Sequence, residues 1–466
     1  MALTSCHDPG DASDGTHRST SASADGNGVS FQQHLFDISN AGGGDIGLAT
    51  GEKVTIQNGL IIPPNVRLDL NGGTIHAILH DANTAGVRLT SNAHVSNGSV
   101  KVTSKGSPGI QSGAHAAVLI GALLGENPTV ADLSPFEAPS HWTLRNLTLE
   151  TDKSVQVKGF RLGAPAIQIM GGAKDGAIED IIVPDNDTMQ GGVMIDWGMV
   201  GPIASSDVVG ASRLFREGSA YTTHPSRISI KNVTIGRLNR TAGGEAGSFG
   251  IRLSGCNDID ISAVHIMHAG SAGIYHTLGD LGYEFACDQD QGKAAKGIRL
   301  SDITINSCGN YGIRSDSYAD NVGRAVEAGY RRRSSPVASS DIVFDNVRAR
   351  AGQSAREAVG IRVDHQRGGR FTNIILADFG TGLLVDAGAE SLQFSDVIID
   401  SARDQAVLVG HKDLPPSNIG LERINTRGAG RGSRLINIEK SRGVTLSATT
   451  GAQIQRAPSA RDIATH

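Results

Sequence analysis

Arginine and aspartate recur two residues apart at two places in the chain. One stretch, CGNYGIRSDSYAD, carries Arg314 and Asp316 behind a Gly-Ile pair, and a later one, AVGIRVDHQ, carries Arg362 and Asp364 in the matching positions. Residues two apart on an extended strand share a face. If the stretches are equivalent parts of a repeat, two arginines and two carboxylates meet on one surface, where they could bind an anion or transfer protons.

A repeat of short alternating segments runs through most of the chain. One phrase has a small residue, then alternating apolar residues, then a turn former, and it occurs ten times, at 116–122, 165–171, 191–198, 249–255, 272–279, 311–317, 359–366, 381–387, 405–412 and 434–440. A second alternating phrase lies between the copies, at 142–150, 227–236, 258–267, 297–306, 341–350, 370–378 and 391–400. Where no insertion intervenes, one copy follows the next after about three short strands with their turns, as from Gly360 to Gly382.

The repeat predicts the fold. Alternation gives each strand one buried and one exposed side, and a unit this short can bury its apolar side only by stacking on its neighbours. The 60 glycines and the 4% of aromatic residues suit many short strands joined by tight turns, such as the corner at Asn71 and Gly72. We therefore predict an all-β protein, a single-stranded right-handed parallel β-helix of about ten or more coils. A β-propeller or sandwich is the disfavoured alternative, because two-residue hairpin signals are sparse.

In these repeats the sequence resembles the right-handed parallel β-helix (pectate lyase-like) superfamily, over roughly residues 50 to 455. That superfamily includes pectate and alginate lyases, polygalacturonase-like hydrolases, mannuronan epimerases and phage tailspikes. The resemblance implies a carbohydrate-active protein but no particular chemistry. The Asp-Pro-His-Glu motif of the epimerases and the paired-aspartate and Arg-Ile-Lys signatures of the polygalacturonases are absent from the sequence.

Outward-facing positions of the first phrase form two columns along the stack. The first column reads Leu119, Gln168, Met194, Arg252, Tyr275, Arg314, Arg362, Leu384, Leu408 and Asn437. The second reads Gly121, Met170, Asp196, Ser254, Thr277, Asp316, Asp364, Asp386, Gly410 and Glu439. Because coils stack about 4.8 Å apart, the two arginine–aspartate pairs are expected to be neighbours. The polar cluster occupies only the middle coils, which favours a site over a uniformly solvated face.

Two groups of candidates follow from these columns. The expected catalytic residues are Tyr275, Arg314, Asp316 and Asp364, and the expected substrate-binding residues are Arg252, Arg362, His365, Asp196, His276 and Tyr318. Alternation points His276 inward toward Ser315, so it is either a satisfied core residue or reaches the surface through a bulge. His365, at a strand end, is expected to be the more solvent-accessible histidine.

Three functions fit these residue types. Arginines could neutralise a uronate carboxylate while Tyr275 removes the ring proton, which gives β-elimination or epimerisation. Alternatively, Asp316 and Asp364 could form the carboxylate pair of a glycoside hydrolase. A non-catalytic glycan-binding protein, or a purely structural ladder, would need no acid or base. The sequence favours cleavage of an acidic, uronate-containing exopolysaccharide, with a lyase ahead of a hydrolase.

The remaining sequence sets the domain plan. Residues 1–28 are polar and predict a flexible tether, residues 29–456 the β-helix with insertions near 198–226, 277–296 and 317–340, and residues 457–466 a tail. The stretch LTSC resembles a lipobox, so Cys6 is a candidate lipid anchor, with the cell envelope or secretion as the expected location. The net charge of -5 disfavours a nucleic-acid partner. No cofactor is expected, with Ca²⁺ on the acidic insertion as the alternative, and Cys256, Cys287 and Cys308 leave their pairing open.

Overall fold

The computed structural model describes residues 28–81, 84–106, 114–121, 138–152, 164–170, 172–196, 225–238, 247–277, 296–316, 339–428 and 432–465. These residues form a helix, α1 (Gly28–Asn40), a short 3-10 helix (Gly432–Arg434) and 29 strands. The strands are β1 (Gly44–Gly47), β2 (Lys53–Gln57), β3 (Leu60–Ile62), β4 (Val66–Asp69), β5 (Thr74–Leu79), β6 (Val87–Leu89), β7 (His94–Ser104), β8 (Val118–Ile120), β9 (Thr143–Thr151), β10 (Pro165–Ile169), β11 (Lys174–Val183), β12 (Gly191–Asp196), β13 (Ser226–Leu238), β14 (Phe249–Ser254), β15 (Asn257–Ala269), β16 (Ala272–Thr277), β17 (Lys296–Ile305), β18 (Tyr311–Asp316), β19 (Ser339–Arg350), β20 (Val359–Val363), β21 (Gln366–Ala377), β22 (Thr381–Val385), β23 (Glu390–Asp400), β24 (Gln405–Val409), β25 (Ser417–Arg427), β26 (Leu435–Ile438), β27 (Arg442–Ser447), β28 (Gln453–Arg456) and β29 (Ala464–Thr465).

All of these strands pair in parallel, in two sheets. The short-strand sheet has 13 strands, and its order is β28-β26-β24-β22-β20-β18-β16-β14-β12-β10-β8-β6-β3. The long-strand sheet has 16 strands, ordered β1-β4-β7-β9-β11-β13-β15-β17-β19-β21-β23-β25-β27-β29, with β2 and β5 joined at its beginning. From β7 onward the chain alternates between the sheets, and each strand pairs with its equivalent in the next coil. This topology confirms the predicted parallel β-helix.

Each long strand from β7 to β25 bends at a central residue in the left-handed conformation, and those from β11 onward have a second such residue near their start. Asn232 (φ 54°) and Asn346 (φ 50°) mark this bend in β13 and β19, and asparagine tolerates positive φ better than most residues. The side chains at the bend form a ladder along the helix axis, in which Asn346 Nδ2 donates to Asp302 Oδ1 at 2.6 Å. The bend gives each coil three straight segments, as the length of the repeat predicted.

The core lies between the two sheets. Ile251, Ile274, Ile313, Ile361 and Leu383 pair in successive coils and are at most 1% exposed, which confirms the predicted interior stack. Three phenylalanines stack on the opposite side, with ring centroids 5.0 Å apart for Phe344 and Phe371 and 4.5 Å apart for Phe371 and Phe394.

Helix α1 covers the first coils, a feature that the sequence reading did not predict. Phe31 and Leu35, four residues apart on one face, are buried in the core. Gln32 bonds the backbone of Ile61 twice, because its Nε2 donates to the carbonyl oxygen at 2.8 Å and its Oε1 accepts from the amide at 2.7 Å. The helix therefore shields the apolar end of the stack from water.

All ten copies of the first phrase form strands of the short-strand sheet, and the seven copies of the second form long strands. The structure adds β3, β6 and β28 to the short-strand sheet, where the phrase shrinks to LII, VRL and QIQR. Within the described ranges, no helix is long and apolar enough to cross a bilayer.

Candidate functional site

The first polar column lies on the outer face of the short-strand sheet, as predicted. Arg252 pairs with Tyr275, Tyr275 with Arg314, and Arg314 with Arg362, in four successive coils. Met194 precedes and Leu384 follows this series, so the column is apolar on both sides of it.

The second column places the carboxylates beside these arginines. Asp196 pairs with Ser254 in β12 and β14, and Thr277 pairs with Asp316 in β16 and β18. Strand β20 ends one residue before Asp364, whose backbone amide donates to the carbonyl of Ser315 at 3.0 Å. Asp364 therefore starts the turn after β20, and it is close enough to Asp316 to influence that carboxyl electrostatically.

The site is far less exposed than a solvated strand face. Tyr275 is 1%, Asp316 4% and Arg252 8% exposed, and β14 and β16 are buried on both faces. The outer face of these coils has an apolar cluster of its own, in which Phe249 and Ala272 pack with Tyr275. Alternation alone predicted which side chains point outward, but it could not predict that this outer side is covered.

Aromatic rings and guanidinium groups alternate along the first column. The Tyr275 ring lies 4.9 Å from Cζ of Arg314 and 5.9 Å from Cζ of Arg252, and it stacks on Phe249 at 5.4 Å. Tyr311 contacts the same Arg314 guanidinium at 5.4 Å. Cations over aromatic faces are stabilised by the ring quadrupole, more strongly when both are removed from water.

Each arginine of the column is also paired with a carboxylate on its own coil or on a neighbouring one. The shortest distances are 3.8 Å for Arg252–Asp196, 2.5 Å for Arg314–Asp316, 3.3 Å for Arg362–Asp364 and 3.1 Å for Arg362–Asp386. Three positive charges therefore face four negative ones. This compensation explains how like-charged arginines are tolerated in direct register, and it leaves the cluster without a surplus of positive charge.

Asp316 is the most perturbed carboxyl of the site. Burial raises the pKa of Asp316 to about 6; Arg314 opposes the rise, and the nearby Asp364 adds to it. The Tyr275 hydroxyl donates to Asp316 Oδ1 at 3.3 Å, and Thr277 provides a further hydrogen bond. A carboxyl with a raised pKa retains its proton at mildly acidic pH, which is the property of a general acid.

Asp364 has a different environment from Asp316. Its Oδ2 pairs with Arg362, and its Oδ1 accepts from Nδ1 of His365 at 3.1 Å. His365 is 7% exposed and His276 0%, so His365 is the more accessible of the two as expected, but it is still buried. It adopts a left-handed conformation (φ 45°) in the turn, which folds its ring back onto Asp364.

His276 does not belong to the outer face. It lies in the interior column between Leu253 and Ser315, is fully buried, and bonds Ser315 Oγ through Nδ1 at 3.0 Å. Burial lowers the pKa of His276 to about 4, so the ring is neutral at ordinary pH. The structure therefore corrects the assignment of His276 as a substrate-binding residue, because the backbone of β16 separates it from any ligand on the outer face.

Other sequence expectations fall outside the described residues. These are Tyr318, Cys6, Cys287, most of the three insertions and the polar segment up to residue 27. Cys256 and Cys308 are buried free thiols whose pKa burial raises. Among the described residues, no group of three or more His, Cys, Asp or Glu side chains could hold a metal ion.

Three residues of the site were absent from the candidate set. Thr277 and Asp386 occupy the second outward-facing column, so their positions in the repeat could have identified them as site residues. Tyr311 precedes the Gly-Ile pair of β18, contacts Arg314 and bonds Arg362. Tyrosine at this position is unique among the ten copies, and that difference could have identified it.

A cleft of about 570 Å³ adjoins this cluster. Its polar lining residues are Ser271, Asn310, Tyr311, Arg314, Ser354, Arg356 and Glu357. Arg314 lines the cleft and is paired with Asp316 at 2.5 Å, whereas Asp316 itself does not line it.

The fold is similar to that of several solved proteins. The tailspike protein of Escherichia coli bacteriophage HK620, solved with a pentasaccharide, superimposes with a TM-score of 0.54 at 10% identity, over 94% of this chain and 74% of that one. Tailspike protein 3 of bacteriophage CBA120 gives 0.52 at 8% identity, over 96% and 60%. The A-module of an Azotobacter vinelandii mannuronan C-5 epimerase gives 0.45 at 12% identity, over 95% and 97%. No protein-family model and no curated protein sequence matches the chain.

The two tailspike similarities and the strand topology agree on the class of fold, a parallel β-helix. Identities of 8 to 12% describe the fold alone. The chemistry must therefore be inferred from the chain's own residues.

Proposed function

We propose that this protein is a carbohydrate-active enzyme that hydrolyses a polysaccharide at the outer face of its short-strand sheet. Asp316 is the proton donor to the leaving sugar oxygen, and Asp364 is the second carboxylate, acting as nucleophile or as base for a water molecule. The β-helix neighbours support a glycan substrate in general, since one of them was solved with a pentasaccharide.

The observation that carries the proposal is the contrast between two neighbouring carboxyl groups. Asp316 is buried against Tyr275, and its pKa is raised to about 6. Asp364 is instead paired with Arg362 at 3.3 Å and bonded to His365 Nδ1 at 3.1 Å. Two carboxyl groups with different environments can divide the acid and base roles of one reaction.

Ion pairing makes hydrolysis a better fit than the β-elimination that the sequence favoured. Arg314 and Arg362 are each paired with a carboxylate already, so neutralising a uronate would require them to exchange partners. β-Elimination nevertheless remains the second candidate because of Tyr275. Its ring packs on the Arg314 guanidinium and its hydroxyl donates to Asp316, so Asp316 could take the phenol proton and leave tyrosinate as the base.

An acidic glycan is the substrate class that the cleft favours. Arg314 and Arg356 line it; because Arg314 is already paired with Asp316, a sugar carboxylate would bind chiefly at Arg356, which is exposed, as is Glu357. Tyr311 adds an aromatic face on which a sugar ring can pack. An exopolysaccharide encountered at the cell envelope or outside the cell fits this chemistry and the lipobox-like LTSC stretch.

Product analysis tests the proposal. The full chain is incubated with uronate-containing and with neutral polysaccharides, and reducing ends and unsaturated uronate products are scored separately. Hydrolysis predicts new reducing ends without unsaturation. Unsaturated products would establish the second candidate instead, and salt-sensitive binding without either product would show that the cluster is a glycan-binding surface and that both enzyme assignments are wrong.

A further inference from the structure

A chain of buried polar side chains crosses the interior directly behind the site. Ser315 Oγ donates to Oε1 of Gln366 at 2.7 Å, and Nδ1 of His276 bonds the same Ser315 oxygen at 3.0 Å. All three residues are at most 1% exposed. The chain links β16 and β18 of the short-strand sheet to β21 of the long-strand sheet.

The polar interior is confined to the coils of the site. The same interior column reads Ile195, Leu253, His276, Ser315, Val363, Val385 and Val409 in successive coils. Burying a polar group costs free energy even when it is hydrogen-bonded on one side. Among the described residues, His276 Nε2 and Gln366 Nε2 have no hydrogen-bond partner, so an apolar stack would be the more stable filling.

The direction of the hydrogen bonds is fixed. Because the single Ser315 proton goes to Gln366, the Ser315 oxygen accepts from His276, whose Nδ1 must carry the proton. His276 is therefore held as one neutral tautomer, and the three residues form an ordered chain rather than a set of rotating groups.

Two members of this chain, Ser315 and Gln366, lie close in sequence to the two carboxylates. Ser315 immediately precedes Asp316, and Gln366 follows Asp364 by two residues, at the end of the turn that also contains His365. The backbone amide of Asp364 adds a second link, since it donates to the carbonyl of Ser315 at 3.0 Å. Asp316 and Asp364 are thus fixed relative to each other from the interior side.

We propose that Ser315, Gln366 and His276 are positioning residues: their hydrogen-bond chain fixes the relative placement of the strand ends that carry Asp316 and Asp364. This inference rests on the proposed function for its catalytic meaning. Whether the hydrogen-bond chain positions the two carboxylates can be tested without any enzymatic activity, because their placement can be measured in the protein without substrate.

The experiment is a carboxyl-carbon NMR titration of the full chain labelled at aspartate, with the Asp316 signal assigned by its loss in Asp316→Asn. The groups that face Asp316 are Tyr275 and Thr277 from β16, Arg314 from its own strand, and Asp364 from the next coil. Ser315→Ala removes the side-chain link and leaves only the backbone link between Asp364 and Ser315, which lets the turn that carries Asp364 move away from Asp316. We expect the Asp316 pKa to fall by about half a unit or more, because separated carboxylates repel less.

Val363→Ala is the matched control, since Val363 is the interior neighbour of Ser315 and forms no side-chain hydrogen bond. It should lower the melting temperature while leaving the Asp316 pKa unchanged. Ser315→Thr, which retains the hydroxyl, should restore the wild-type pKa. If Ser315→Ala does not fold, Gln366→Met breaks the same hydrogen bond from the other strand.

An Asp316 pKa that stays unchanged when the hydrogen bond is removed would overturn the inference, even if the variant melts earlier. Failure of the proposed function has a different signature, because the wild type would then give no product while the shift in the Asp316 pKa is still observed.

Discussion

The guanidinium of Arg314 lies 2.5 Å from the carboxylate of Asp316, two residues further along the same strand. The pair shares the outer face of β18, and the next coil repeats it with Arg362 and Asp364 at 3.3 Å. Each of these arginines therefore holds a carboxylate that a reaction could use, while its other face contacts tyrosine or the cleft.

The register of the stack can be tested at Ile313. This residue is fully buried between Ile274 and Ile361, so Ile313→Asp places an unpaired charge in the core and should abolish folding. Ile182→Asp is the control, because Ile182 is 52% exposed on the outer side of β11. The measurement is a melting curve followed by circular dichroism. A cooperatively melting Ile313→Asp protein would contradict the register.

Asp316 gives a pH-dependent prediction for stability. Its pKa is raised in the folded protein, from 3.8 to about 6, so its stabilising contribution is present below pH 4 and is lost as the pH rises through 6. Asp316→Asn cannot ionise. The stability of this variant relative to the wild type should increase between pH 4 and pH 7, by on the order of 1 kcal/mol or more.

Chemical denaturation at each pH measures this difference. The attraction between Arg314 and ionised Asp316 is already part of the Asp316 pKa, so the pH dependence of the difference is the quantity that tests the prediction. Parallel stability curves for the two proteins would show that Asp316 titrates normally.

His276 predicts the opposite slope. Its pKa is lowered to about 4, so the unfolded chain binds a proton more readily, and the wild type loses stability as the pH falls from 6.5 to 4. His276→Leu should remove up to about 3 kcal/mol of this acid sensitivity. Denaturation at pH 4.5 and at pH 7.5 gives the comparison. An acid sensitivity equal to that of the wild type would mean that His276 is accessible to protons in the folded state.

The sequence predicted most of the fold because its alternation is regular. Ten copies of one phrase identified ten strands of the short-strand sheet, and the period of two residues identified the outward column of Arg252, Tyr275, Arg314 and Arg362. Short terminal copies such as LII at β3 were missed, because three residues are too few to distinguish an alternating strand from any other short apolar segment. Helix α1 was missed because its few apolar residues follow a polar segment.

The environment of the site could not be predicted in the same way. Alternation predicts on which face of a strand a side chain lies, but it does not predict whether that face is buried by other residues. His365 is more accessible than His276, as expected, yet its positive φ turns it onto Asp364 and it is still buried. The ion pairs that neutralise each arginine depend on rotamers and on neighbouring coils, which a single strand sequence does not specify.

Helix α1 provides a test of how the stack is closed. Gln32→Ala removes both hydrogen bonds to the Ile61 backbone and should destabilise the protein by about 1 to 3 kcal/mol. Gln33→Ala is the matched control, because Gln33 is exposed on the same turn. Hydrogen exchange at the amide of Ile61 should accelerate only in the first variant. Equal exchange in both variants would show that the helix does not protect β3.

The most direct test of the proposed chemistry compares two variants of the Arg314–Asp316 pair on the substrate found by product analysis. Asp316→Asn removes the proton donor, and kcat should fall on the order of 10²-fold or more, whereas Arg314→Ala should chiefly raise KM. Asp396→Asn, in the exposed Arg423–Asp396 pair, is the control and should leave both parameters unchanged. An Asp316→Asn enzyme with nearly wild-type kcat, alongside an inactive Arg314→Ala enzyme, would contradict the account and assign the reaction to the arginines.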